Sequence, residues 1–153
     1  MSSYQQFAAN LGILHPIIQA PMAGVSTPTL VAAVSEAGGL GSLGLGAATL
    51  EQMAQQIRDT RQLTAKPFNV NLFCHQRAVG DTTREAAWLS YLAADFRKFE
   101  AEPPTSLREI YSTAVGNDAM LAMLLELKPA VVSFHFGVPD PGWTEALRAA
   151  GIT

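Results

Sequence analysis

A single cysteine, Cys74, in a chain of 153 residues excludes an internal disulfide framework and every multi-cysteine zinc pattern. The three histidines are scattered without a His-x-x-x-His pair, so no structural metal site is expected. Charge is scarce as well: 15% of residues are charged against 48% hydrophobic, the formal net charge is −3, and the longest basic run is Arg97-Lys98. A surface that tracks nucleic-acid phosphates needs more positive charge than that, which removes nucleic acid from the expected partners. No apolar run approaches the roughly 20 residues of a membrane helix. The opening Met1-Ser2-Ser3-Tyr4-Gln5-Gln6 lacks the charged and apolar regions of a leader. These absences leave a globular chain, expected in the cytoplasm, with enough hydrocarbon to offset the entropy of folding.

What is present is an alternation of short apolar runs with helical segments, the pattern of βα units on a parallel sheet. Length admits one domain. The first unit pairs a strand at Pro16–Met22 with a helix capped at Thr27 and opened by Pro28, whose apolar face is Leu30, Val31, Val34 and Ala37. The second pairs Leu40–Leu45 with a helix opened by the capping box Thr49-x-x-Gln52, with Leu50, Met53, Ala54 and Ile57 at helical spacing. The third strand, Pro67–Phe73, leads into a long helical insertion over about 80–127. There Thr82-x-x-Glu85 reads as a cap, Trp88, Leu92, Phe96 and Phe99 as an apolar stripe, and Asn117–Leu127 as a further helix. Insertions of that length are pocket lids or simple decoration. The fourth strand spans Ala130–Phe136, its helix begins at Asp140-Pro141, and Ile152-Thr153 reads as the first step of a fifth strand.

Four βα units without a reversal predict half of a (β/α)8 barrel, whose usual length is about 250 residues; a doubly wound five-stranded sheet is the other architecture this alternation permits. The string Gly39-Leu40-Gly41-Ser42-Leu43-Gly44 matches the dinucleotide fingerprint, yet it follows a helix and forms a strand instead of linking strand to helix. These glycines are read as close helix-to-strand packing.

In a parallel barrel the carboxyl ends of the strands share one face, and that face holds the active site. Three features converge there: the Gln19–Gly24 turn, the Asn69 and Asn71 pair, and Ser133 with His135. Alternation along a strand sends Asn69 and Asn71 the same way, and Ser133 and His135 the same way. His15 lies at the opposite end, His75 begins a loop, and no partner in the sequence argues for an activated Cys74 thiolate.

Together, Ile17-Ile18-Gln19-Ala20-Pro21-Met22-Ala23-Gly24, the glycine-rich run to Gly44, Lys66–Phe73 and Val132–Gly137 resemble the nitronate monooxygenases, formerly called 2-nitropropane dioxygenases. The resemblance extends from about residue 12 to the last residue. It implies the first four βα units of a (β/α)8 barrel, so that residues 1–153 form a single partial domain, with non-covalent FMN at the strand carboxyl ends. It implies oxidation of an alkyl nitronate or nitroalkane by O2. By the same resemblance Ala20, Pro21, Met22 and Ala23 face the flavin ring through backbone atoms, Asn71 hydrogen-bonds the flavin, and His135 and Tyr111 line the substrate pocket. Members of the family are more than twice as long as this chain. Alternative expectations are a related flavin-dependent enoyl reductase, or a non-enzymatic half barrel that covers its open edges by self-association or by a chain that completes the barrel.

Overall fold

A computed structural model describes residues 2–153. The chain divides into two compact units, one of Met1–Gln76 with Tyr111–Thr153 and the other of Arg77–Ile110.

The larger unit opens with helix α1 (Ser3–Leu11), which the sequence reading did not anticipate. Its signals are present: Ser2 and Gln5 form a reciprocal capping box, and Gly12 closes the helix in a left-handed conformation. Only Ala8 of this helix is buried, so no apolar periodicity marks it. The second helix, α2 (Pro28–Glu36), starts as expected, with Thr27 accepting from the Leu30 N–H and Pro28 in the first turn. Helix α3 (Leu50–Leu63) has the Thr49–Gln52 capping box and buries Met53, Ala54, Ile57 and Thr60.

Strands β1 (Gly41–Gly44), β2 (Phe68–Phe73) and β3 (Val131–His135) form a three-stranded parallel sheet in that order. The predicted first strand is corrected: Pro16–Met22 contributes one parallel bridge, Ile18 to Leu40, and no regular strand. Proline is the cause. Pro16 and Pro21 carry no N–H, so main-chain pairing is confined to Leu40 N–H on Ile17 O and Gln19 N–H on Leu40 O, both 2.9 Å. At the other edge Thr153 pairs with the backbone of Ala130 and Val132, as a fifth strand would.

The sheet has two chemically distinct faces. Leu43, Leu45, Phe68, Val70, Leu72 and Val132 join Val31, Met53, Ile57, Met120, Leu124, Trp143 and Leu147 in one hydrophobic core. Met120 and Leu124 come from helix α5 (Asp118–Leu127), capped by Asn117, and Trp143 and Leu147 from helix α6 (Pro141–Ala149). The register Gly44↔Asn71↔Ser133 puts Ser42, Asn69, Asn71, Ser133 and His135 on the other face.

Residues 77–110 carry helix α4 (Thr82–Lys98). Its cap is Asp81, whose side chain accepts from the Arg84 N–H, one residue earlier than the predicted Thr82. Asp has the acceptor nearest to the orphan donors, and Glu85 turns back to the Asp81 N–H instead. The expected stripe is also corrected: Leu89 is the buried residue of α4, while Trp88 is exposed and stacks on Tyr91, and Phe99 is exposed.

The reading of the glycine run as close packing is met at Gly41, where an added β-carbon would overlap the Val31 carbonyl of α2. Gly41→Ala is therefore expected to destabilise the chain by about 1–3 kcal/mol in urea denaturation. Gly142→Ala, where an added β-carbon meets nothing within 4 Å, is expected to stabilise helix α6 by about 0.5–1 kcal/mol.

Candidate active site

The turn between Gln19 and Gly24 lies against the end of β1. It is closed by the Val25 and Ser26 N–H groups donating to Met22 O, and the Met22 N–H donates to Ser26 Oγ at 2.9 Å. Gly44 makes the approach possible, since a β-carbon there would lie 2.8 Å from Ala23 N and from Met22 C. Among the described residues, the Ala20 and Ala23 N–H groups have no acceptor. A cleft of about 500 Å³ borders the turn at Ala23, Gly24 and Gly44 and is lined also by Thr27, Ala47 and Gln52.

On the polar face of the sheet, hydrogen bonds run from β1 to the end of β3. Asn69 Nδ2 donates to Ser42 Oγ at 3.2 Å and to Ser133 Oγ at 2.9 Å. Asn71 Nδ2 donates to the same Ser133 Oγ at 2.8 Å, and Asn71 Oδ1 lies 3.0 Å from His135 Nδ1. An amide oxygen only accepts, so in this arrangement Nδ1 of the neutral ring carries the proton and Nε2 keeps its lone pair. Ser42, Asn69 and Asn71 are buried, and His135 is exposed at the strand end. Asn69 Oδ1 is a buried acceptor with no donor.

Above this ladder sits an aromatic group built around Phe73, which is opposite His135 in the register. The Tyr111 ring is 5.5 Å from that of Phe73, Phe136 4.8 Å and His135 6.5 Å. Tyr111 is placed by the segment that follows it: Ser112 N–H donates to Gly46 O, and Ala114 N–H to Phe73 O at 2.7 Å. Phe136 packs on Phe73 from a left-handed backbone (φ 65°), a conformation that costs a side-chain-bearing residue roughly 1–2 kcal/mol.

The expected site residues thus fall into two places. Asn71 and His135 are in direct contact, and Tyr111 and His135 both flank Phe73; Ala20–Ala23 form the turn beside β1. Sequence reasoning missed the grouping of Phe73 and Phe136 beside His135, and Ser26 and Gln19 as supports of the turn. The period-two spacing of Phe73 with Asn69 and Asn71 was the available signal for the first of these. Cys74 is buried, and burial, then the negative charge of Asp140, push its thiol above the usual range.

The family model for nitronate monooxygenase matches residues 5–153. A nitronate monooxygenase of Paraburkholderia phytofirmans is 56% identical over 142 residues, covering 93% of this chain and 39% of that protein. One from Pseudomonas aeruginosa is 54% identical over 147 residues, covering 96% of this chain and 42% of that protein. Among solved structures, a nitroalkane oxidase from Streptomyces ansochromogenes superposes with a TM-score of 0.78 at 43% identity, covering 95% of this chain and 40% of that one. The chain therefore spans about two fifths of the length of these relatives.

Two measurements test the geometry. In ¹⁵N NMR of the imidazole, His135 of the wild type is expected as the Nδ1–H tautomer, and Ser133→Ala, which frees the Asn71 amide to turn over, shifts the population toward Nε2–H. Because the thiolate is the reactive form, iodoacetamide is expected to label Cys74 more slowly than free cysteine over about pH 7 to 9, and the difference disappears in strong urea.

Proposed function

This chain belongs to the nitronate monooxygenase family, and on that footing we propose that it carries the first four βα units of an FMN-dependent (β/α)8 barrel that oxidises alkyl nitronates with O2. Propionate 3-nitronate is the model substrate, and removal of such toxic anions is the role. The observation that supports this reading most directly is the Asn71–His135 contact at the carboxyl ends of adjacent parallel strands.

The residues present fit a flavin ring. Isoalloxazine is flat and rich in carbonyl and ring-nitrogen acceptors, and the Ala20–Ala23 turn offers it two N–H groups with no acceptor of their own, on a segment with few bulky side chains. Asn71 Nδ2 uses one of its two protons on Ser133 and has the second for a ligand. When bound, the flavin supplies the electron acceptor that carbon oxidation requires.

The chain's own groups do the rest. A nitronate is already an anion, so its oxygens need donors more than its carbon needs a base. The Tyr111 hydroxyl is one donor, and His135 becomes the other when Nε2 is protonated. A neutral nitroalkane must first lose its α-proton, and the Nε2 lone pair, held outward by the Nδ1–Asn71 bond, is the base for that step. The Phe73 and Phe136 rings give the substrate's alkyl part an apolar surface to lie against.

The decisive experiment is the visible spectrum of the purified chain after incubation with FMN and desalting, alone and with a chain that completes the barrel, followed by oxygen-electrode assays. Flavin retained near one equivalent, with O2 consumed on adding nitronate, is expected of the completed barrel. A completed barrel that binds FMN and ignores nitronates overturns the assignment. His135→Gln in the active form is expected to lower turnover of a neutral nitroalkane by about 10²-fold or more, and turnover of the preformed nitronate by a much smaller factor.

A further inference from the structure

We propose that Gln19 is a positioning residue for the Ala20–Ala23 turn, its side-chain amide replacing the stretch of first-strand backbone that Pro21 prevents from forming. The inference rests on the reading above only in taking the turn as the flavin-facing element.

Beyond Gln19 the main chain leaves the sheet, because Pro21 has no N–H with which to continue the ladder. The edge of β1 would then present Ser42 unpaired. Instead Ser42 N–H donates to Gln19 Oε1 at 3.0 Å, and Gln19 Nε2 lies 3.2 Å from Ser42 O. One primary amide thus meets both the donor and the acceptor of a strand residue, as a neighbouring peptide group would. Its orientation is unambiguous: one end faces an N–H, and the other faces only oxygens.

The same Nε2 is 2.7 Å from Ala20 O and 2.7 Å from Ser26 Oγ, and Ser26 Oγ accepts the Met22 N–H at 2.9 Å. Gln19 therefore links a fully buried strand residue to the carbonyl before Pro21 and, through Ser26, to the N–H after it. Gly44 supports the opposite side, where a β-carbon would strike Met22 and Ala23 backbone atoms. The clamp occupies Ala20 O and Met22 N–H and leaves the Ala20 and Ala23 N–H groups for a ligand. Packing of a strand end would need bulk at position 19; this arrangement needs a donor and an acceptor in one planar group.

Gln19→Glu and Gln19→Met separate the two. A carboxylate still accepts from Ser42 N–H but sets negative charge against the Ser42 and Ala20 carbonyls, whereas the protonated acid restores one donor. The neutral form is favoured in that setting, so the new carboxyl titrates above the ordinary Glu value of about 4.3. The defect is present above its folded-state pKa and recedes as pH falls through it. Amide exchange by NMR on this chain is expected to show Ser42 and Met22 about tenfold less protected in Gln19→Glu near neutral pH. Protection is expected to return toward pH 4–5, and Gln19→Met is expected to stay unprotected throughout. FMN affinity, read by fluorescence quenching in the form that binds flavin, is expected to follow the same pH pattern.

Unchanged protection of Ser42 and Met22 in both variants overturns the clamp, as does a loss spread evenly over β1, β2 and β3, which is general destabilisation. A loss confined to the turn with unaltered FMN affinity overturns the positioning role. If the wild type and its completed barrel bind no flavin, the flavin reading of the turn fails and the positioning role with it, while the exchange data still decide the clamp.

Discussion

Parallel pairing of β2 with β3 sets Asn71 beside Ser133 and Phe73 beside His135, and the chemistry of the larger unit depends on that register. A slip of one residue would send Ser133 and His135 to the face where Val70, Leu72 and Val132 pack against helices. Each of those buried side chains contributes about 1.5–3 kcal/mol. A hydrogen bond of the polar ladder contributes about 0.5–1.5 kcal/mol net. The apolar face therefore enforces the register, and the polar face inherits its geometry. His135 meets Asn71 because leucines and valines on the reverse side admit no other alignment.

Much of this architecture is legible in the sequence because its signals are local. Apolar runs bracket β1, β2 and β3, and Thr27, Thr49 and Asn117 stand directly before the helices they cap. The convergence of Asn71 with His135 follows from alternation plus the rule that parallel strands end on one face. Gln19 was illegible for the opposite reason. Its partner Ser42 lies 23 residues away, and the demand for a side-chain amide arises only because Pro21 interrupts a strand that the hydrophobic pattern alone predicts as continuous.

The smaller unit shows a different limit. Its helix is legible from Glu85 and the spacing of Trp88, Leu92 and Phe96, although the cap falls on Asp81 and not on Thr82, and in the fold Trp88 and Tyr91 stack on each other in the open. Periodicity states which side of a helix is suited to burial. Whether a 34-residue segment can bury it is a question of surface against volume, and a unit that small lacks the interior to do so.

The polar face also carries a cost that hydrocarbon would avoid. Asn69 Oδ1 is buried without a donor, which disfavours the fold by about 1–3 kcal/mol. Apolar residues at 42, 69, 71 and 133 together would carry no such penalty, since these hydrogen bonds would lose both partners and not one. What apolar side chains cannot supply is direction. Asn69 holds Ser133, Ser133 orients the Asn71 amide, and that amide selects the tautomer of His135. Each step needs a planar or two-valent hydrogen-bonding group at a fixed place in the register. The ladder ends on an exposed imidazole beside the Phe73 ring, with one ring nitrogen held by the Asn71 amide oxygen.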